Sequence, residues 1–477
     1  VNTLPTTPEA WLEILARRLD ERYTGSNIEG EYPGVEKLRR YARGRADLPE
    51  MGKNVKASWE AFQKKARTNY GGAAVSSLAN RISTNGLRIG ESDKHPALAA
   101  ARRLWRDNRL DVQVKEAIRD YIETRYGYLV VGVDEEGHAA ITREKPEQFI
   151  ADPDPLRPWK ARATLKVWRD DVTKQDYAIV TMPGLSQSYS RDSRTSVGSM
   201  RVGAGGDGWT PFGDPVEYAG SPTVGILDRG DLGAFLEQHL DIIDRINLGK
   251  LNRLVTTAMQ AFRQRALKPK DEKSGGLPQK DEQGNDINWA AALEPAPGAV
   301  WDLPVAIDIW ESQPTDITPL LAGEKTDARD FSATVGTPIW VLLPGGDNQS
   351  AAAADGSKEP EVFQARDDIA RIKPALAVVM VYALRVEGID LGDDTLEVLF
   401  DDPTFRSITE KYDAAVKAKA AGESWKSIAT NILGYSPDQI TQDAIDRAAE
   451  QLATAPVAEP ASPQPPAPTP TPDDLAA

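Results

Sequence analysis

The chain has 477 residues, of which 27% are charged and 40% hydrophobic, and it carries a formal net charge of −15. That length exceeds one hydrophobic core and predicts structural units of roughly 150 residues each. The acidic balance excludes broad, tight gripping of nucleic acid, which needs many lysine and arginine contacts to phosphates.

With no cysteine in the chain, disulfides and thiolate metal sites are excluded, as suits a reducing compartment. His95, His138 and His239 stand far apart, so no metal and no cofactor is expected. No apolar run approaches the roughly 20 residues that span a bilayer. The start, VNTLPTTPEAWLEILARRLDERY, lacks a secretory pattern, which predicts synthesis in a cytoplasm. Val1 fits either an alternative start codon or a trimmed terminus.

In chain order, Trp11, Leu12, Ile14, Leu15 and Leu19 recur at helical spacing and predict a first helix over 8 to 24. GVEKLRRYARGRADLPEM follows as a short basic helix with Arg39, Arg40, Arg43 and Arg45 as the densest positive cluster. A solvated face is the favoured role for it, ahead of a nucleic-acid site. NYGGAAVSSLANRISTNGLRI predicts a helix closing into a strand, and ALAAARRLWRDNRLDVQVKEAIRDYIETRYG two further helices. The period then changes. Residues 128 to 133 and 138 to 142 read as strands of a hairpin-based sheet that ARATLKVWRDD and KQDYAIVTM extend. Residues 183 to 222, rich in Ser, Gly, Asp and Pro, are expected to be a long, poorly packed insertion. Gly203, Gly205, Gly206 and Gly208 lack a leading strand and a following helix, so a flexible loop is expected there rather than a phosphate cradle.

From Asp231 to Leu267 the pattern predicts one long helix, with Glu237, Asp241 and Asp244 early and only basic charges from Arg245 onward. Alignment with the helix dipole is the expected reason. A Gly/Pro-rich segment leads to a second helix that stops at Val335-Gly336-Thr337-Pro338. The two predict a helical hairpin with the intervening segment at its tip. After a polar loop comes a long helix with Ile369, Ile372, Leu376, Val379, Ala383 and Val386 on one face and a bend at Pro374. A strand at Leu396 to Phe400, helices at 404 to 421, 423 to 433 and 437 to 453, and a proline-rich tail complete the chain. Asp393, Asp394, Asp401 and Asp402 read as turn and cap residues rather than metal ligands.

No GxxxxGK[ST] loop, GxSxG elbow or HExxH motif occurs, so no catalytic residue is assigned and no enzyme is expected. The order of elements is more specific. LRRYARGRADLP, NYGGAAVSSLANRISTNGLRI, IETRYGYLVVGVDEEGHAAITREKPEQFIADPDP, the helix at 231 to 267, and ATVGTPIWVLLPGG before a long helix together make the chain resemble the portal (head-to-tail connector) proteins of tailed bacteriophages. The branch it resembles is that of long-tailed phages of high-GC hosts.

The resemblance implies an α+β, predominantly helical portal fold, ring-forming, with wing, stem, clip and crown regions. It places the wing at 1–230 with a flexible insertion at 183–222, the first stem helix at 231–267, the clip at 268–315 and the second stem helix at 316–338. The tunnel loop is then 339–357, the long wing helix and return 358–403, the helical crown 404–453 and a disordered tail 454–477. It implies Pro344, Gly345, Gly346, Asp347, Asn348, Gln349 and Ser350 as DNA-facing loop residues, and Arg245, Lys250, Arg253, Arg263 and Arg265 as stem residues. The partners it implies are further copies in a dodecameric ring, double-stranded DNA in the channel, the terminase large subunit, major capsid and scaffold proteins, and a head-tail adaptor, with no membrane. The expected place is the portal vertex of the virion. Two readings compete: a helical scaffold or adaptor of a phage particle without a DNA channel, and a nucleic-acid-processing enzyme.

Overall fold

A computed structural model of the chain describes residues 4–26, 32–49, 60–90, 95–193, 201–261, 265–269, 279–280, 283–288, 307–311, 313, 315–344, 351–404 and 408–454. It divides into two units, Val1–Arg406 and Ser407–Ala477.

In the first unit, helix α1 (Pro8–Thr24) has the ends that its sequence specifies. Thr7 accepts from the N–H of Ala10 at 3.4 Å, Pro8 takes a first-turn position, and Gly25 stops the helix at φ 78°. Its apolar face, with Trp11, Leu15 and Leu19, packs on Leu165, Val167, Ala178, Val180 and Tyr189. These belong to a five-stranded antiparallel sheet of β4 (Phe149–Asp154), β5 (Arg157–Asp170), β6 (Gln175–Met182), β7 (Leu185–Asp192) and β8 (Thr210–Glu217).

The expected insertion at 183 to 222 is therefore corrected: it supplies two strands and buries Val202 and Ala204 in the same core. In β7 the serines 186, 188 and 190 alternate with buried Gln187, Tyr189 and Arg191. Composition reads such a strand as loop, whereas its period of two is intact. β8 is the edge strand and carries Pro211 and Pro215, which an edge tolerates.

The larger core is built around α10 (Ala351–Val386), which passes through Pro360 and Pro374 without ending. Ile372, Leu376, Val379, Met380, Ala383 and Leu384 pack with residues of α4 (Tyr70–Ala79), α5 (Pro96–Asp107), α6 (Leu110–Thr124), β2 (Tyr126–Val133) and β3 (Ala139–Glu144). Burial of that face outweighs the backbone bonds that the prolines remove. β9 (Val224–Asp228) lies against the helix at Gly225, where a Cβ would stand 2.3 Å from Val379 Cγ2. The expected strand at Leu396–Phe400, β12, pairs antiparallel with β1 (Thr84–Ile89), Leu87 opposite Val398.

Buried ion pairs help to fasten this core. Asp368 of α10 accepts from Arg229 at 3.0 Å and from the Tyr121 hydroxyl at 2.9 Å, and Arg81 reaches Glu361 at 2.5 Å and the Pro403 carbonyl at 2.8 Å. The second unit has α11 (Ile408–Ala420), α12 (Trp425–Ile428) continued by a π-helical turn, and α13 (Pro437–Thr454), around Ala415, Ile428 and Leu433.

Candidate functional site

The expected helical hairpin is present with different bounds. α7 spans Leu240–Ala261 and α8 spans Thr318–Val335. The helix expected from Asp231 begins nine residues later, because Gly230–Leu232 forms a 3₁₀ turn and Gly233 adopts φ 63°. Glu237 then accepts from the N–H of Ala234 at 2.7 Å, and Phe235 and Leu236 turn into the core. At the other end the chain is already strand by Arg265, where β10 (Arg265–Pro269) pairs with β11 (Ile307–Glu311). α8 stops where its sequence says, at Gly336 with φ 75°.

One end of the pair is anchored and the other projects. Near its start α7 buries Leu240, Ile243, Ile246 and Leu251. The Tyr41 hydroxyl donates to Asp244 at 2.7 Å, and Asn247 accepts from the N–H of Thr68 at 2.9 Å. Burial pushes the Asp244 carboxyl above its ordinary range, against the bond from Tyr41. The matching end of α8 buries Ala328, Phe331, Ser332 and Val335. Beyond Leu251 in α7, and before Ala328 in α8, none of the described side chains is buried.

Along the pair the cations of one helix meet the acids of the other. Arg245 lies 3.0 Å from Asp327 and 3.1 Å from Asp330; Arg253 lies 2.6 Å and Lys250 3.8 Å from Glu324. Past them, Gln260 donates to the Thr315 carbonyl at 2.6 Å. The dipole account of this charge order is corrected for the bases: the last turn of α7 contains none, and Arg245, Lys250 and Arg253 lie in the body of the helix. The order instead matches an antiparallel partner carrying Glu324, Asp327 and Asp330 at every third position. That three-residue spacing is the signal in the sequence for these acids.

Of the expected stem residues, the structure thus brings Arg245, Lys250 and Arg253 together with partners. Arg263 lies outside the described residues, and Arg265 stands opposite Glu311 in the β10–β11 ladder. Of the expected tunnel loop, residues 339 to 342 form a short helix, α9 (Ile339–Leu342), and the first turns of α10 start at Ala351. Pro344 is described; Gly345, Gly346, Asp347, Asn348, Gln349 and Ser350 lie outside the described residues. A cavity of about 310 Å³ adjoins this region, lined by Ser332, Gly336, Thr337, Ile339, Ser357 and Pro360.

Two other expectations change. Arg39, expected on a solvated face, is buried among Asp120, Glu123 and Glu147. The glycine-rich loop is not a flexible connector: the N–H groups of Ala204 and Gly205 donate to the Asp20 carboxylate at 3.0 and 2.8 Å, and Arg201 pairs with it too. Backbone amides there do cradle an anion, and the anion is the chain's own. Asp402 accepts from the N–H of Thr404 at 2.9 Å, as a cap residue does, and Asp394 lies 3.2 Å from His95. Among the described residues no cluster of His, Cys, Asp or Glu could hold a metal ion, and no helix is long and apolar enough to cross a membrane.

A family model described as phage portal protein, SPP1 Gp6-like, matches residues 26–455. No curated protein is significantly similar in sequence. Among solved structures, a chain of the virion of a native gene transfer agent particle is 14% identical, with a TM-score of 0.44, covering 85% of this chain and 100% of that one. A chain from the neck of the empty particle, computed with C6 symmetry, is 13% identical with a TM-score of 0.42, covering 84% of this chain and 94% of that one. One from the neck of the native particle, computed with C12 symmetry, is 13% identical with a TM-score of 0.39, covering 85% and 100%. At such TM-scores these likenesses add nothing to the assignment, which the family match carries across nearly the whole chain: the protein belongs to the SPP1 Gp6-like phage portal protein family, the structural portal proteins of phage virions.

Proposed function

We propose that the chain assembles into a closed ring, dodecameric as the portal resemblance implies, at one capsid vertex. The ring is the conduit for double-stranded DNA during packaging and ejection. It docks the terminase large subunit first and a head-tail adaptor later, and it meets major capsid and scaffold proteins. Its role is structural, and no residue is assigned to catalysis.

The observation that carries this reading is the projecting helix pair. Among the described residues of its outer half no side chain is buried; Leu321 there is 41% exposed, and Leu248 nearer the anchored end is 42% exposed. Helices of this kind gain their stability from neighbours, and a heterologous contact that closes makes a ring. In this reading α7 and α8 are the stem and the β10–β11 ladder is the base of the clip. The segment at 345–350 is the tunnel loop, α10 and the N-terminal part are the wing, and the second unit is the crown. Stem cations that are neutralised by Glu324, Asp327 and Asp330 offer DNA little to adhere to, which suits sliding.

Negative-stain images of the purified full chain test the reading. Rings with a central channel are expected. Small compact particles alone, with the protein soluble and intact, would overturn it.

A further inference from the structure

The five-stranded sheet turns a second face away from α1. Leu165, Val167, Ala178, Val180 and Tyr189 pack on the helix, so the alternate positions of β5, β6 and β7 point the other way. On that outer face Trp168, Tyr177 and Ser190 stand in register across the three strands, and Phe212 of β8 stands opposite Ser188. The Trp168 and Tyr177 rings stack with centres 5.5 Å apart, and Phe212 meets Tyr177 edge-on at 5.7 Å. Among the described residues none of the three belongs to a hydrophobic core, and Phe212 and Val216 are 55% and 63% exposed. The serines of β7 form the floor of a shallow trough, with Tyr177 and Ile179 on one side and Phe212 and Val216 on the other. The Ser188 and Ser190 hydroxyls have no hydrogen-bond partner among the described residues.

Addition of a strand at the adjoining edge is opposed by Pro211 and Pro215 of β8, which offer an incoming strand no N–H. An aromatic strip with spare hydroxyls suits instead a polyproline II segment. Its proline rings lie against aromatic faces, and its carbonyls, unpaired within the segment, accept from hydroxyls. This chain carries such a sequence. Residues 455–477, outside the described residues, read APVAEPASPQPPAPTPTPDDLAA, with Pro460, Pro463 and Pro466 at the three-residue period of that helix. Prolines three apart lie about 9 Å from each other there, a step on the scale of the ring spacings in the strip. The fixed φ of proline lowers the entropy lost on docking.

We propose that the outer face of β5 to β8, from Trp168 to Phe212, docks this chain's own proline-rich segment, residues 455–477. The proposal takes nothing from the ring reading, so either can fail without the other.

The absence of native cysteine makes the test direct. In the full chain, Ser190→Cys places a single thiol on the outer face, and its alkylation rate is measured. Adding Pro460→Asp, Pro463→Asp and Pro466→Asp is expected to speed alkylation several-fold. A Val172→Cys control, at a position 90% exposed in the turn after β5, should react alike with either form of the segment. A synthetic peptide of residues 455–477, added to the proline-substituted chain, should slow the Ser190→Cys reaction again. It should do so much less once Trp168→Ala and Phe212→Ala are introduced. Equal rates with and without the three prolines would overturn the proposal. A peptide that gives no protection, or that protects the Trp168→Ala, Phe212→Ala chain equally well, would overturn it too.

Discussion

Arg39 places one guanidinium among three acids: Asp120, Glu123 and, at 2.8 Å, Glu147. Arg143 joins at 2.6 Å from Asp120, so the buried charges are compensated by contact. Burial works to raise the Glu147 carboxyl, but Arg39 beside it prevails and holds it below its ordinary 4.5. A carboxyl lowered by folding contributes stability that is present above its unfolded value and is lost as pH falls through the folded one. Glu147→Gln is therefore expected to cost about 2 kcal/mol at neutral pH, with the deficit shrinking as pH falls below 4.5. Burial holds Asp120 above its ordinary value, which acts in the opposite sense, but that contribution is common to both proteins. Urea unfolding across pH measures the deficit, and a gap independent of pH would contradict the assignment.

At the scale of elements, helices α7 and α8 are matched by charge along their shared length. Replacing Glu324 by Arg would set like charges against Lys250 and Arg253, and is expected to destabilise the chain by about 1 kcal/mol, less at high salt. Adding Arg253→Glu should recover at least half of the loss, because the pair is restored in reverse. Thermal unfolding of the two single variants and the double variant checks this. Simple additivity would mean that the contact contributes nothing. The hairpin itself was legible from the proline-free run and the Gly336 stop. Its true start was not, since Phe235 and Leu236 continue the helical period in sequence while folding into the core.

For the whole molecule, the segment at 345–350 follows α8 and α9 in the chain and precedes α10, the helix at the centre of the core. As α10 begins at Ala351, shortening belongs within 345–350 and leaves the core intact. Such a variant is expected to assemble as the parent does and to package or retain DNA poorly. Normal packaging would remove the tunnel-loop assignment.

Local chemistry was enough for the sequence to determine the first helix with both its ends, the stop at Gly336, the strand at Leu396–Phe400 and the order of elements that marks a portal family. Caps, turns and side-chain periods act between residues a few positions apart, and so they are written in the chain. Only the tertiary structure decided that Arg39 is buried, that the serine-rich stretch forms β7, that Asp20 fills the glycine cradle, and that β12 pairs with β1. Arg39, Asp20 and β12 each depend on a partner far away in sequence, and β7, though its hairpin partner β6 is adjacent, buries Tyr189 against the distant α1; the energy of such burial or pairing exists only once the partner is in place.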